Sequence, residues 1–248
     1  MARGQGEDRC RLARHPADRR LDSLAGLFAA GLIPSGAKDP FGLRRAALGV
    51  VQPLIEHGLD FDLRVAIRAA GAFQPIKVSD EVYAQILNFI NGRLEVVLKD
   101  EGQRYDVVDA VLAERGYDPY QARKSVAELG DWVKQADWAA TLAAYSRCVR
   151  ITRDKTEQYE VRPADFVIDE ERSLWAAYQS VPTDLDSVSS ADGFLRAFTP
   201  LIPAITAFFD KVLVMDENPR VRENRLGLLQ KIAGLAKGVV ELSKLEGF

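Results

Sequence analysis

Phe208–Leu229 reads FFDKVLVMDENPRVRENRLGLL. An apolar helix end runs into a short acidic turn, and an Asn-Pro step restarts a second helix. Asn218 suits an N-cap, because its side-chain oxygen can accept a hydrogen bond from an orphan backbone N–H. Pro219 suits the first helical position, where a missing N–H costs nothing. Beyond it Val221, Leu228, Ile232, Leu235, Val239 and Leu242 recur at helical spacing, with charges on the other face. The stretch predicts a helical hairpin whose second arm runs from Pro219 to Leu245.

The same signals recur upstream. Asp39-Pro40 predicts the start of a helix through FGLRRAALGVVQPLIEHG, with a kink at Pro53 and a stop at Gly58. Asp118-Pro119 predicts another, through Leu129. Ser79 caps a longer helix whose first turn carries Asp80 and Glu81, charges that suit the positive end of the helix dipole. Leu21, Leu24, Leu27 and Phe28 share one helical face. Shorter helices are expected over Asp62–Ala70, Tyr105–Glu114 and Glu170–Gln179. A further one, capped by Asp137, runs to about Thr152, and Ala191–Val214 reads as a single helix. Residues 153–166 form a polar connection and 180–190 a loop. Asn-Gly hairpins with flanking alternation are missing and β-branched runs are short, so the expected fold class is all-α. No fixed-period repeat suggests a solenoid.

Composition narrows the function classes. With 33 basic and 36 acidic residues the formal charge is -3, so any nucleic-acid contact requires a local patch. The two cysteines, Cys10 and Cys148, lie far apart in sequence, which fits free thiols in a reducing, cytoplasmic setting. No apolar run reaches the roughly 18 residues needed to span a bilayer. The Arg-rich N-terminus lacks the apolar core of a signal peptide. Met1–Arg20 has almost no apolar periodicity and is expected to be weakly ordered.

Catalytic signatures are missing too. The chain contains no phosphate-binding Gly-rich loop and no dinucleotide fingerprint. His57, beside Gly58, reads as a partner for a helix C-terminus. Asp18 and Asp22 share a helical face and could bind metal or do acid–base work, but the simpler reading is a charged helix start and an Arg partner. No catalytic and no metal-ligating residues are assigned.

Two basic clusters are the candidates for a phosphate backbone. Lys38, Arg44 and Arg45 surround the Asp39-Pro40 helix start, where free N–H groups suit an anion. Arg147, Arg150, Arg153 and Lys155 form the second cluster, with Tyr145 and Tyr159 nearby as possible stacking surfaces for unpaired bases. Either cluster could equally be a solvated helix face with local ion pairs. Arg220, Arg222 and Arg225 form a third group, read as structural pairing.

Four stretches resemble one family, the bacterial glycyl-tRNA synthetase beta subunit: DSLAGLFAAGLIPSGAKDPFGLRRAALGVVQ (Asp22–Gln52), YDVVDAVLAERG (Tyr105–Gly116), RCVRIT (Arg147–Thr152) and FFDKVLVMDENPRVRENRLGLLQKI (Phe208–Ile232). The resemblance covers about residue 18 to the C-terminus. It implies the end of an HD-type region and a helical body over 18–100, then a DALR-type anticodon-binding-like helical bundle over 101–248. Residues 1–17 are unlike the family. One extra residue in Pro16–Leu24 implies a truncated or frame-shifted reading frame that re-enters the family pattern near Asp18.

The resemblance also implies a function. The chain would be the tRNA-binding C-terminal part of a glycine–tRNA ligase beta subunit in an alpha2–beta2 assembly, with tRNA-Gly and the alpha subunit as partners. ATP and magnesium would act through the alpha subunit, with no cofactor on this chain, which alone would be inactive. Arg147, Arg150, Arg153 and Lys155 are the first candidates for tRNA contact, then Lys38, Arg44 and Arg45. Two rivals remain open at this point. One is a non-enzymatic helical interaction module that only holds the synthetase together. The other is an HD-type hydrolase relic around Asp18 and Asp22.

Overall fold

The computed structural model describes residues 16–182 and 189–248, with side chains from Arg19 onward. The expectations for Cys10, for the weakly ordered start up to residue 15 and for the Asp18 carboxylate lie outside the described residues, as does part of the expected loop; residues 16–20 of that start are helical instead. The helices are α1 (Pro16–Ala29), α2 (Leu43–Glu56), α3 (Leu63–Ala72), α4 (Asp80–Asp100), α5 (Tyr105–Arg115), α6 (Pro119–Trp132), α7 (Trp138–Thr152), α8 (Asp169–Gln179), α9 (Ala191–Phe198), α10 (Ile202–Lys211) and α11 (Pro219–Ala233). Single 3-10 turns occur at Pro163–Asp165, Thr199–Leu201, Gly234–Ala236 and Leu242–Lys244. Among the described residues the one β feature is an isolated bridge between Ser35 and Lys38. The fold is all-α.

Most helix starts follow the expected cap chemistry. Asn218 Oδ1 accepts from Arg220 N at 3.0 Å, Asp62 Oδ1 from Arg64 N at 2.9 Å and Ser79 Oγ from Val82 N at 3.4 Å. Each satisfies an N–H that the helix cannot. Four expectations are revised. Asp137 precedes α7 but its side chain makes no cap bond. The helix expected at Pro40 starts three residues later, at Leu43, behind Gly42 with φ 67°. A left-handed residue there turns the chain into the helix, a conformation that glycine adopts without penalty. The single helix expected over 191–214 is two helices separated by Thr199–Leu201, because Pro200 and Pro203 cannot donate to the preceding turn. The last helix ends at Ala233 rather than Leu245, and Gly238 at φ 76° reverses the chain soon after.

The chain divides into two compact units. The first spans residues through Val108 together with Arg115–Lys124, and the second holds 109–114 and 125–248. Helices α5 and α6 each contribute to both.

In the first unit α1 packs on α2 and α3, and α4 lies against all three. Leu24, Val50, Leu63, Ile67, Ile86 and Ile90 form its core. Phe28 meets Phe89 edge-on at 5.3 Å, a favoured aromatic geometry. Asp118 caps α6 through Gln121 N at 3.1 Å and also accepts from Phe61 N at 3.1 Å, which ties the segment before α3 to the start of α6.

In the second unit α11 packs on α7, and α10 on α8. Tyr145, Phe194, Phe198, Phe208, Leu228 and Ile232 form the core. The opening stretch behaves here in an unexpected way. Instead of one buried stripe, Asn224 through Leu229 are all buried, including the polar Asn224 and Arg225. Buried polar groups must be paired, and these are. Arg225 donates through Nε to Glu171, and through Nη1 to Leu213 O at 2.8 Å and Asp216 Oδ2 at 2.8 Å. The other Glu171 oxygen accepts from Val167 N at 2.6 Å and Ile168 N at 3.2 Å. One ion pair thus fixes the turn before α8, the acidic turn at 213–216 and α11 together. Asn224 pairs with both the N–H and the C=O of Arg162, at 2.7 and 3.1 Å. Gln230 holds Tyr159 N at 3.0 Å and Glu157 O at 2.7 Å. The polar connection 153–166 is therefore clamped to α11 by two side-chain amides.

Candidate nucleic-acid interface

Helix α7 carries the main basic cluster. Arg147, Arg150 and Arg153 follow at intervals of three, so they share one exposed edge while Leu142, Tyr145, Cys148 and Thr152 face inward. An inward Thr152 Oγ1 returns a hydrogen bond to Cys148 O at 2.8 Å. Burial pushes the Cys148 thiol up to about 12, so it is a packing group and not a nucleophile at neutral pH.

Each of the first two arginines lies over a ring from elsewhere in the second unit. The Arg147 guanidinium carbon is 4.4 Å from the centroid of Phe209, and that of Arg150 is 5.6 Å from Phe248. Such contacts contribute about 0.5–1 kcal/mol at exposed sites and hold the guanidinium plane in place. Arg147 also sits 3.9 Å from Asp210, both side chains exposed, an arrangement too open and too long to neutralise it. Arg153 and Lys155 make no ion pair among the described residues. The edge is therefore a row of cations with oriented planes at its first two positions.

Of the two aromatic residues expected beside the cluster, the reading of Tyr145 is corrected. Tyr145 is buried, its hydroxyl donates to Ala233 O at 2.8 Å, and its ring meets Phe194 and Phe198 edge-on. It cannot stack on a base. Tyr159 N donates to Gln230 Oε1 at 3.0 Å, and the residue is half-buried. The rings that do serve the cationic edge are Phe209 and Phe248, which no local spacing connects to α7.

The second cluster, in the first unit, is arranged differently. Asp39 Oδ1 accepts from Leu43 N at 2.8 Å and Oδ2 from Arg44 N at 2.9 Å. The free N–H groups expected at this helix start are thus already bound to a carboxylate. Desolvation pushes that carboxyl up, but the two amides and the nearby Arg44 and Arg45 outweigh it and hold it below its ordinary value. Arg44 turns back to donate to Gly36 O. Lys38 and Arg45 are exposed and make no ion pair among the described residues. An external anion there would compete with Asp39.

The third group is structural, as its spacing predicts. Arg220 forms a two-point pair with Asp165 at 2.7 and 2.8 Å, Arg222 donates to Asp216 O at 3.1 Å, and Arg225 is the buried hub. Among the described residues no group of three or more His, Cys, Asp or Glu side chains could hold a metal ion. No helix among them is long and apolar enough to cross a membrane.

The described residues thus form an all-α fold with an exposed cationic helix edge on α7. Residues 17–113 match the family model described as glycyl-tRNA synthetase beta subunit. Over 231 residues the chain is 40% identical to the glycine–tRNA ligase, chloroplastic/mitochondrial 2, of Arabidopsis thaliana, covering 92% of this chain and 22% of that protein. It is 37% identical over 235 residues to the glycine–tRNA ligase beta subunit of Moorella thermoacetica, covering 91% of this chain and 34% of that protein. The beta subunit of Rhodospirillum centenum is 36% identical over 239 residues, with 92% and 34% covered. The similarity is thus to subunits of an aminoacyl-tRNA synthetase. More narrowly, the chain corresponds to a C-terminal portion of the glycine–tRNA ligase beta subunit, and it spans between about a fifth and a third of the length of these relatives.

Proposed function

We propose that the chain is the tRNA-binding C-terminal part of a glycine–tRNA ligase beta subunit, acting in the cytoplasm. It would support ATP-dependent attachment of glycine to tRNA-Gly while the alpha subunit, with ATP and magnesium, carries out the chemistry. The observation that carries this reading is the exposed edge of α7. Arg147, Arg150 and Arg153 form a row in a chain whose overall charge is -3, so the cationic character is local. Guanidinium groups oriented over Phe209 and Phe248 suit phosphate contacts that position an RNA, and planar stacking that engages unpaired bases.

The test is a gel shift with tRNA-Gly at low salt. Wild-type chain should retard it, and Arg147→Glu/Arg150→Glu/Arg153→Glu should lose at least tenfold in affinity with an unchanged circular-dichroism spectrum. Equal binding by the folded variant would remove α7 from the interface. The chain alone should show no glycylation of tRNA.

A further inference from the structure

Helix α3 carries two apolar rows, with Arg64 and Arg68 between them. Leu63, Ile67, Ala70 and Gly71 pack inward. On the opposite side Val65 is 57% exposed and Phe73, just past the helix end, 86%, while Ile76 follows at 48%. Ala69 and Ala72 lie between them and are also exposed. Val65, Ala69 and Ala72 fall at helical spacing, so the row is continuous. A contiguous apolar row left open on a helix is ordinarily a covered surface. The flanking charges are already matched: Arg64 bonds to Asp62 and lies 3.6 Å over the Tyr117 ring, and Arg68 pairs with Asp80 at 2.9 Å. The row itself, Val65, Ala69, Ala72, Phe73 and Ile76, carries no charge, so it suits an apolar protein partner rather than a phosphate backbone.

We infer that the outer face of α3 is the seat of beta-subunit sequence lying outside this chain. Two observations choose that occupant. The relatives align along nine-tenths of this chain yet devote about two-thirds of their length to other sequence. The family match begins at residue 17, in the first turn of α1, and α1 itself packs on α3, with Gln74 Nε2 donating to Asp22 O at 3.3 Å. Polypeptide preceding that turn in a relative is delivered beside α3 at high effective concentration, without a separate binding step.

The inference rests on the beta-subunit likeness and not on tRNA binding. Phe73→Glu should leave the tRNA-Gly gel shift unchanged, so the two readings fail separately. The direct test is the maleimide labelling rate of Phe73→Cys in this chain, in a Cys10→Ser background. It is compared with a cysteine at the aligned position in the full-length Moorella thermoacetica beta subunit. Labelling should be fast here and at least tenfold slower in the full-length protein. Amide exchange over α3 and over the aligned helix of the unsubstituted relative gives a second reading, again at least tenfold slower in the relative. Equal rates in both comparisons would overturn the inference. So would labelling of this chain that slows as its concentration rises, which would make a second copy the occupant. Slowing in the relative only after alpha subunit is added would overturn it as well.

Discussion

Replacing Arg225 by Ala should be the most damaging single change in the second unit. The side chains of Arg225 and Glu171 are only 5% and 1% exposed, the pair joins α8 to α11 across 54 positions, and Arg225 also holds the 213–216 turn. Removing the guanidinium leaves the Glu171 carboxylate buried with only the Val167 and Ile168 amides as donors. It also orphans Leu213 O. Breaking a buried ion pair from one side costs about 3–5 kcal/mol, because the remaining charge is uncompensated. At roughly 2–4 °C per kcal/mol for a chain of this size, the melting midpoint should fall by about 6–20 °C. Arg225→Met/Glu171→Met should recover only part of the loss: the double change removes the stranded charge but leaves the Val167 and Ile168 N–H groups without an acceptor. Glu170→Gln, which weakens a surface pair with the exposed Lys211, should cost at most about 1 kcal/mol. Urea and thermal unfolding followed by circular dichroism make the measurement. A loss of under 1 kcal/mol in Arg225→Ala would refute the hub.

Further outcomes follow from the glycines and the carboxylates. Gly227→Ala places a Cβ 2.7 Å from Tyr159 O, a backbone atom held by the amide clamp, and should cost about 1–3 kcal/mol in urea unfolding. Gly92→Ala, inside α4 with nothing within 4 Å of the new Cβ, should instead stabilise by about 0.5–1 kcal/mol. Asp62 feels desolvation that raises its pKa, but hydrogen bonds from Arg64 prevail and lower it. A lowered folded-state pKa means the stability it contributes is present above its unfolded value and is lost as pH falls through the folded one. The urea midpoint should therefore drop below about pH 4, and Asp62→Asn should make that drop shallower. Cys148 should resist thiol reagents in the native state and react only on unfolding; rapid native labelling would contradict its burial.

Local chemistry made much of the fold legible. Asn218, Ser79 and Asp62 cap because a short polar side chain before an apolar periodic run has few better partners than the orphan amides beside it. The failures also have local causes. Reading Ala191–Val214 as one helix followed apolar periodicity past two prolines. Extending α11 to Leu245 followed it past Gly234 and Gly238. The Arg225–Glu171 pair was illegible because 54 positions separate its members and no periodicity connects them. The cationic edge of α7 was legible from the three-residue spacing of its arginines. Its aromatic partners were not: Tyr145 was the nearer candidate, but it faces the core, and Phe209 and Phe248 reach the edge only through tertiary packing. The N–H groups beside Lys38 and Arg45 were read as free because Asp39-Pro40 was taken to open the helix, whereas the helix starts at Leu43 and the Asp39 carboxylate binds its first amides.

The salt dependence of tRNA-Gly affinity measures the α7 interface most directly. Each phosphate contact contributes roughly 0.7–0.9 to the slope of log affinity against log salt. If Arg147, Arg150 and Arg153 each hold a phosphate, Arg147→Glu/Arg150→Glu/Arg153→Glu should flatten that slope by about 2–3 while the variant keeps its fold. A wild-type chain that binds tRNA-Gly with a slope identical to that of the folded variant, or that does not bind it at low salt, would contradict the account.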